Sequence, residues 1–218
     1  KSYRIRRNEF FITVAALAIS IYNNRHDIKI SWNYNGRESI EYMSSIGLLF
    51  RELPVGIRFR PERTIRDVFS DVQDQVRKGI EHSCYPYVDF HGELATAESA
   101  YLLYQQDLRD TESLENAGIE VVDVRQNQAA SQTILDMEIL DGSEGLQLMI
   151  DFASSWYEEK SIEKFARIFA GTVQLIAQHD GQEDLMIKEI THRINREVLK
   201  ESIGERISDE RQKLGKIG

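Results

Sequence analysis

The fold is decided by residues Asp27–Phe59, DIKISWNYNGRESIEYMSSIGLLFRELPVGIRF. Apolar and polar residues alternate from Ile28 to Asn33, which predicts a strand over 28–34 with one buried face. Asn35-Gly36 comes next, and both residues tolerate the positive φ of a tight turn. A second strand-like run extends from Leu53 to Phe59. Two strands joined by a polar loop with a short helical turn are therefore the centre of the predicted fold.

Further helices and strands flank this centre on both sides. The run Phe10–Tyr22 is apolar nearly all round, which predicts a helix buried on more than one side, with Asn8 as its N-cap. Thr64 and Ser161 are predicted to cap two amphipathic helices. The predicted helices are 9–22, 64–81 and 161–178, and the further predicted strands are 100–105, 119–124, 132–140 and 145–152. This order favours an α/β fold, a two-layer sandwich in which helices pack on a mixed sheet.

Composition and charge exclude several classes of function. The chain of 218 residues is 41% hydrophobic and 29% charged, as is usual for a globular protein. Its formal net charge is −9, so it lacks the electrostatic footprint of a nucleic-acid-binding protein. Cys84 is the only cysteine, which excludes an internal disulfide and a cysteine-based metal cluster. A cytoplasmic location is the natural expectation.

The basic N-terminus offers an alternative interpretation, a secretory signal. Lys1, Arg4, Arg6 and Arg7 precede the apolar run Phe10–Tyr22. However, a polar Asn-Glu pair interrupts the junction, and the run is too short to span a bilayer. A buried helix, and no membrane contact, is the favoured interpretation.

Four segments resemble, in order and spacing, the C-terminal half of condensation domains from nonribosomal peptide synthetases, of the gramicidin and tyrocidine synthetase type. They are FFITVAALAISIY (Phe10–Tyr22), NGR (Asn35–Arg37), IGLLFRELPVGIR (Ile46–Arg58) and HSCYPYV (His82–Val88). In that family a strand leads to a Gly-Arg turn and then to an Ile-Gly-x-Phe-Val-Asn-Thr-Leu-Pro-like segment. The resemblance covers roughly residues 8 to 190 and implies a half-domain with the chloramphenicol acetyltransferase-like (CoA-dependent acyltransferase) fold.

The resemblance also implies a place and a role for these segments. Two related lobes meet in a V and enclose a tunnel, in which an amine on one carrier protein attacks a thioester on another. Gly47–Leu53 and His82–Tyr87 would lie near the lobe junction. The implied tunnel or junction residues are Asn35, Gly36, Arg37, Gly47, Arg51, His82 and Tyr85. The implied partners are the N-terminal lobe, donor and acceptor peptidyl carrier proteins, which supply phosphopantetheine, and an adjacent adenylation domain; no directly bound cofactor is expected.

The family's catalytic motif, His-His-x-x-x-Asp-Gly, does not occur in this sequence. The five histidines are scattered, at positions 26, 82, 91, 179 and 192. No catalytic residue is therefore predicted, and the chain is expected to be inactive without the other lobe. Residues 1–190 are predicted to form the lobe and 191–218 a linker or tail, within which Thr191–Ile203 could be a short helix.

Departures from the family pattern leave two alternatives open. Arg51-Glu52 stands where the family has Asn-Thr, and His82-Ser83-Cys84 lacks the usual Gln-Asp. An epimerization-domain lobe, a sister family, would share the Gly-Arg-Glu turn, and a non-catalytic lobe that docks a carrier protein would tolerate both changes. A metal site at His82 and Cys84 lacks further ligands, so none is predicted. A Cys–His nucleophile at the same place is disfavoured because Cys84 fits a packing role better.

Overall fold

The computed structural model describes residues 3–37, 39–84, 100–106, 118, 135–142, 145–179 and 184–200. The helices are α1 (Arg7–Asn23), α2 (Ile40–Met43), α3 (Ile65–Glu81), α4 (Glu159–Gln178) and α5 (187–200). The strands are β1 (Asp27–Tyr34), β2 (Arg51–Arg58), β3 (Ala100–Gln106), β4 (Leu135–Gly142) and β5 (Gly145–Phe152). The predicted strand at 119–124 and the part of the predicted linker after residue 200 lie outside the described residues.

The five strands form one mixed sheet in the order β2-β1-β3-β4-β5. The central pairs, β1 with β3 and β3 with β4, are parallel, whereas the outer pairs β1–β2 and β4–β5 are antiparallel. The prediction of an α/β fold with a mixed sheet is confirmed.

Helix α1 is the centre of the helical layer. It contacts α3, α4 and the strands β1 and β3, and all its residues from Phe11 to Ile21 are buried. The buried hydroxyl of Thr13 donates to the carbonyl oxygen of Glu9 at 2.9 Å, so it needs no partner outside the helix. The prediction of a helix buried on several sides is confirmed.

Two predicted helix caps are wrong. The N-cap of α1 is Arg6 rather than Asn8, because the Glu9 carboxylate accepts from the Arg6 backbone N–H at 3.1 Å and satisfies the start of the helix there. The N-cap of α4 is Glu158 rather than Ser161, whose own N–H already donates to the Glu158 carbonyl at 2.9 Å.

The predicted cap of α3 is confirmed. The Thr64 hydroxyl accepts from the Asp67 N–H, and the Asp67 carboxylate accepts from the Thr64 N–H, both at 3.1 Å. These bonds lower the pKa of Asp67 from its usual range, mainly because the hydrogen bonds with Thr64 favour the charged carboxylate. The helix then buries the predicted stripe against the core. Its buried members are Ile65, Val68, Phe69, Val72 and Val76.

Helix α5 extends the core beyond residue 190, the predicted lobe boundary. Ile190 and Ile194 are 0% and 1% exposed. The segment before this helix is bonded to the start of α3, where Ile65 N–H donates to the Leu185 carbonyl and Ile187 N–H to the Arg63 carbonyl, each at 2.9 Å. Helix α5 therefore packs on the same core, and the linker character of the residues after 200 stays a prediction.

The outer edge of β2 is covered at one point by a side chain of α3. The Gln75 amide donates to the Gly56 carbonyl at 2.8 Å and accepts from the Gly56 N–H at 3.1 Å. Within the described ranges, no helix has the length and hydropathy needed to cross a membrane.

Candidate functional site

The candidate site lies at the end of the sheet where β1 leads into the loop 35–50. Arg37 N–H donates to the Asn35 side-chain oxygen at 3.1 Å and closes the turn. Gly36 has a φ of 65°, and a Cβ built on it would lie 2.0 Å from the Leu49 carbonyl oxygen. Only glycine fits this position, because the turn folds directly onto the backbone at Leu49.

The Arg37 guanidinium holds the rest of the loop in place. It donates to the Tyr42 carbonyl, to the Ser45 carbonyl at 2.9 Å and to the Gly47 carbonyl at 3.4 Å. The short helix α2 forms inside this arc, as the sequence predicted. Arg37 therefore holds the loop through bonds to the loop's backbone carbonyls. A lysine, with a flexible ammonium group, could not reproduce this set of bonds.

The loop presents a run of exposed large apolar side chains, which we call the apolar segment (residues 40–50). Ile46 is fully exposed and Leu48 is 79% exposed. Several exposed large apolar side chains within one short loop are typical of an interaction surface rather than of a solvent-facing loop. Its exposed members are Ile40, Tyr42, Met43, Ile46, Leu48 and Phe50.

The two segments predicted to share a junction are brought together by Arg51, the first residue of β2. Its guanidinium donates to the Ser83 hydroxyl at 2.9 Å and lies 3.7 Å from the Cys84 sulfur. His82 caps the C-terminus of α3 with an exposed ring, and its N–H donates to the Lys78 carbonyl at 3.1 Å. Six of the seven predicted junction residues thus lie at one end of the sheet: Asn35, Gly36, Arg37, Gly47, Arg51 and His82. The seventh, Tyr85, lies outside the described residues. That these residues line a tunnel stays a prediction.

Sequence reasoning missed two features of this end of the lobe. The Arg51–Ser83 bond joins residues 32 positions apart, and a single arginine in a strand carries no sign of such a partner. The stretch before Ser45 was predicted to be a polar loop, so the exposed Ile40, Tyr42 and Met43 were missed, although these residues follow neither a helical nor a strand period.

The sheet face opposite the helices carries a tyrosine among carboxylates. Burial raises the pKa of Tyr101 to about 12, and the charges of Glu52 and Asp136 act in the same direction, while a hydrogen bond from Asn33 opposes them. The phenol is therefore neutral at pH 7. Among the described residues, no group of three or more His, Cys, Asp or Glu is arranged to hold a metal ion.

Comparison with known proteins places this geometry in a family. The Condensation domain family matches residues 1–197. Tyrocidine synthase 2 from Brevibacillus parabrevis is 21% identical over 198 residues, which make up 87% of this chain and 6% of that protein. Gramicidin S synthase 2 from Brevibacillus brevis is 20% identical over 178 residues, 79% of this chain and 4% of that protein.

Solved structures of low identity share the fold. A four-domain nonribosomal peptide synthetase bound to AMP and glycine superimposes with a TM-score of 0.70 at 12% identity, over 86% of this chain and 16% of that one. The condensation domain from monacolin K polyketide synthase gives 0.67 at 18% identity, over 82% and 42%. The X-domain from teicoplanin biosynthesis gives 0.67 at 15% identity, over 86% and 44%.

The chain thus spans less than half the length of these last two solved domains. The predicted chloramphenicol acetyltransferase-like fold is confirmed by these neighbours and by the mixed sheet with its helical layer. Because the family match covers nearly the whole chain, the chain belongs to the condensation domain family of nonribosomal peptide synthetases.

Proposed function

We propose that this chain is the C-terminal lobe of a condensation domain and that its apolar segment packs on the N-terminal lobe. The observation that carries the proposal is the exposure of six large apolar side chains in residues 40–50, at the end of the sheet where Arg51 meets Ser83. A folded protein rarely leaves such a run in water unless another surface covers it.

The size of the match supports the identity of the missing surface. The chain covers 42% of one solved condensation domain and 44% of the X-domain, so each contains a second part of similar size that this chain does not match. The family's His-His-x-x-x-Asp-Gly motif is also absent from this sequence. A second lobe that carries the motif would account for both facts.

In the proposed reaction the acceptor amine attacks the carbonyl carbon of the donor thioester. A C–N bond forms, the C–S bond breaks, and the amine proton goes to the departing thiolate of the donor's phosphopantetheine arm. This chain would contribute the opposite wall of the tunnel, with Arg37 and Arg51 fixing the loop and the strand that form it. Its contribution is orientation of two tethered substrates, which can lower the barrier by several kcal/mol, ~7–11 in ideal cases.

A condensation assay on purified donor and acceptor carrier proteins tests the proposal, with mass spectrometry of the carrier-bound product. The chain alone should form no amide, and the chain joined to the N-terminal lobe of the same domain should form it. Amide formation by residues 1–218 alone would contradict the half-domain assignment.

A matched pair of variants tests the role of the apolar segment in the two-lobe protein. Leu48→Ser, in the segment, should weaken association of separately produced lobes, whereas Leu199→Ser, at an exposed leucine outside it (61% against 79% for Leu48), should not. Equal association of both variants with the N-terminal lobe would contradict the proposed contact.

A non-catalytic docking lobe is the second candidate. The likeness to the X-domain favours it, because that domain has been solved in complex with another protein, OxyB. The replacement of Asn-Thr by Arg51-Glu52 agrees with it as well. A two-lobe protein that binds carrier proteins but forms no amide would decide for docking.

A further inference from the structure

Helix α5 exposes a basic side chain at every fourth position. Lys188, His192, Arg196 and Lys200 are all exposed. Residues four apart in a helix lie side by side and about 6 Å apart along its axis, so these four side chains form one ridge about 18 Å long. We call this ridge the basic row.

The opposite face of α5 fixes the direction of the basic row. Ile187, Ile190 and Ile194 are buried and belong to the core of the lobe. At the start of the helix the backbone N–H of Lys188 donates to the Pro61 carbonyl at 3.2 Å. The helix is therefore held on both its face and its end, and the basic row faces away from the core.

The two acidic residues of α5 are engaged elsewhere and do not neutralise the row. The Glu189 carboxylate accepts from the Met186 N–H at 3.4 Å, at the start of the helix. The Glu197 carboxylate is turned toward α4, because a Cβ built on Gly171 would lie 3.9 Å from its Oε2. The positive charge of the row is thus left to solvent or to a partner.

This surface differs in charge from the rest of the molecule. With four Lys or Arg and two Glu, residues 187–200 carry a formal charge of +2 on a chain whose net charge is −9. Within the part of the chain that the structure describes, no residue of the basic row takes part in a salt bridge, whereas Arg58, Arg63 and Arg77 each pair with a carboxylate.

The basic row does not serve the stability of α5 itself. Like charges four residues apart on a helix repel each other. Lys188 also lies in the first turn, where the positive end of the helix dipole disfavours a cation. A pattern that opposes helix stability is explained by a negatively charged partner that covers it.

We propose that the basic row docks an acidic helical segment of another protein. Rows of residues four apart are the ridges with which helices pack on each other. A partner helix with a carboxylate at every fourth position has the same repeat as the row, so each basic side chain meets one acidic side chain. The surface is separate from the apolar segment, so the proposal does not depend on the function proposed for that segment.

Fluorescence anisotropy of a labelled peptide, titrated with the 218-residue chain, tests the proposal. The probe is a capped alanine-based helix with a glutamate at every fourth position. It should bind at low salt, and its affinity should fall by about tenfold when NaCl rises from about 20 to about 200 mM, since exposed charges are then screened.

A control peptide separates the repeat from the charge. It has the same composition as the probe, but its glutamates are spread over all faces of the helix, so it should bind about fivefold more weakly, because fewer carboxylates reach the row together. Equal affinity for the two peptides, or no binding of the probe at low salt, would overturn the proposal.

Two double variants separate the basic row from the net charge. Lys188→Gln with Arg196→Gln should weaken binding of the probe by about tenfold, since two exposed ion pairs with the peptide are lost. Lys29→Gln with Lys160→Gln removes the same charge from exposed positions outside α5 and should leave the affinity unchanged. Equal losses in both variants would show a bulk charge effect and overturn the proposed surface.

Charge reversal gives an independent readout. Lys188→Glu with Arg196→Glu should lose the glutamate probe and gain binding of the same peptide with lysine in place of glutamate. No gain for the lysine peptide would overturn the proposal.

Two other occupants of the row are outcomes of the same measurements. Tighter binding of a single-stranded oligothymidylate of about twenty nucleotides than of the probe would assign the row to a nucleic acid and overturn the protein partner. Salt-sensitive dimers of the chain that disappear in the variant with Lys188→Gln and Arg196→Gln would make the occupant a second copy, and would overturn it as well.

Discussion

Helix α1 and the apolar segment are both rich in large apolar residues, yet their environments are opposite. From Ile12 to Ala18 the hydrophobic residues of α1 are 0% exposed, whereas Ile46 and Leu48 in the segment are almost wholly in water. Helix α1 is covered by α3, α4 and the sheet. The difference teaches that the described core forms without the apolar segment, as the proposed packing of that segment on a second lobe requires.

Replacing one phenylalanine by alanine in the core and one in the apolar segment is the strongest test of this comparison. Phe69→Ala, on the core side of α3, should lower the free energy of unfolding by ~3–5 kcal/mol, because a 2%-exposed ring leaves a cavity. Phe50→Ala, in the apolar segment, should lower it by less than about 1 kcal/mol. Urea unfolding of the two variants measures both values. Similar losses would mean that the apolar segment belongs to the core after all.

Alanine at Gly36 tests whether the loop needs its observed conformation. The positive φ and the close approach to Leu49 should together cost about 1–3 kcal/mol, since the backbone must move. Gly79→Ala in α3 is the control, and it should stabilise by about 0.5–1 kcal/mol because its Cβ meets only ordinary contacts in a helix. Thermal unfolding shows whether each variant is more or less stable than the original protein. Unchanged stability of Gly36→Ala would argue against the folded-back turn.

Serine at Ile46 and Leu48 should have the smallest effect on stability. Both side chains are exposed, so the double variant should change the free energy of unfolding by less than about 0.5 kcal/mol. Its self-association should fall, because the exposed apolar surface is smaller. Sedimentation velocity at several concentrations measures this, and unchanged association would place any contact between copies elsewhere on the lobe.

Local sequence patterns predicted most of the elements of the lobe. The alternation at Ile28–Asn33, the Thr64 cap and the apolar stripe of α3 each depend on neighbours in the sequence, and each is present in the structure. The strand order was not predicted, because pairing of β1 with β3 joins residues about seventy positions apart. The predicted cap of α1 was wrong because Glu9 already accepts from the Arg6 N–H, and that of α4 because the helix begins at Glu159, before Ser161.

The candidate site was predicted only through a family resemblance. Asn35-Gly36 is a turn signal because both residues tolerate a positive φ. The bond between Arg51 and Ser83 is a tertiary contact, which no local sequence pattern predicts.

The bonds between Gln75 and Gly56 have a consequence for aggregation. An edge strand with free backbone groups is a template on which strands of other molecules can add. In β2 the amide of Gln75 occupies the outward N–H and carbonyl of Gly56, and Pro54, two residues earlier and so on the same side of the strand, has no N–H to offer. Addition of a strand at this part of the β2 edge is therefore hindered by one glutamine and one proline, and among the described strands β5 forms the other margin of the sheet.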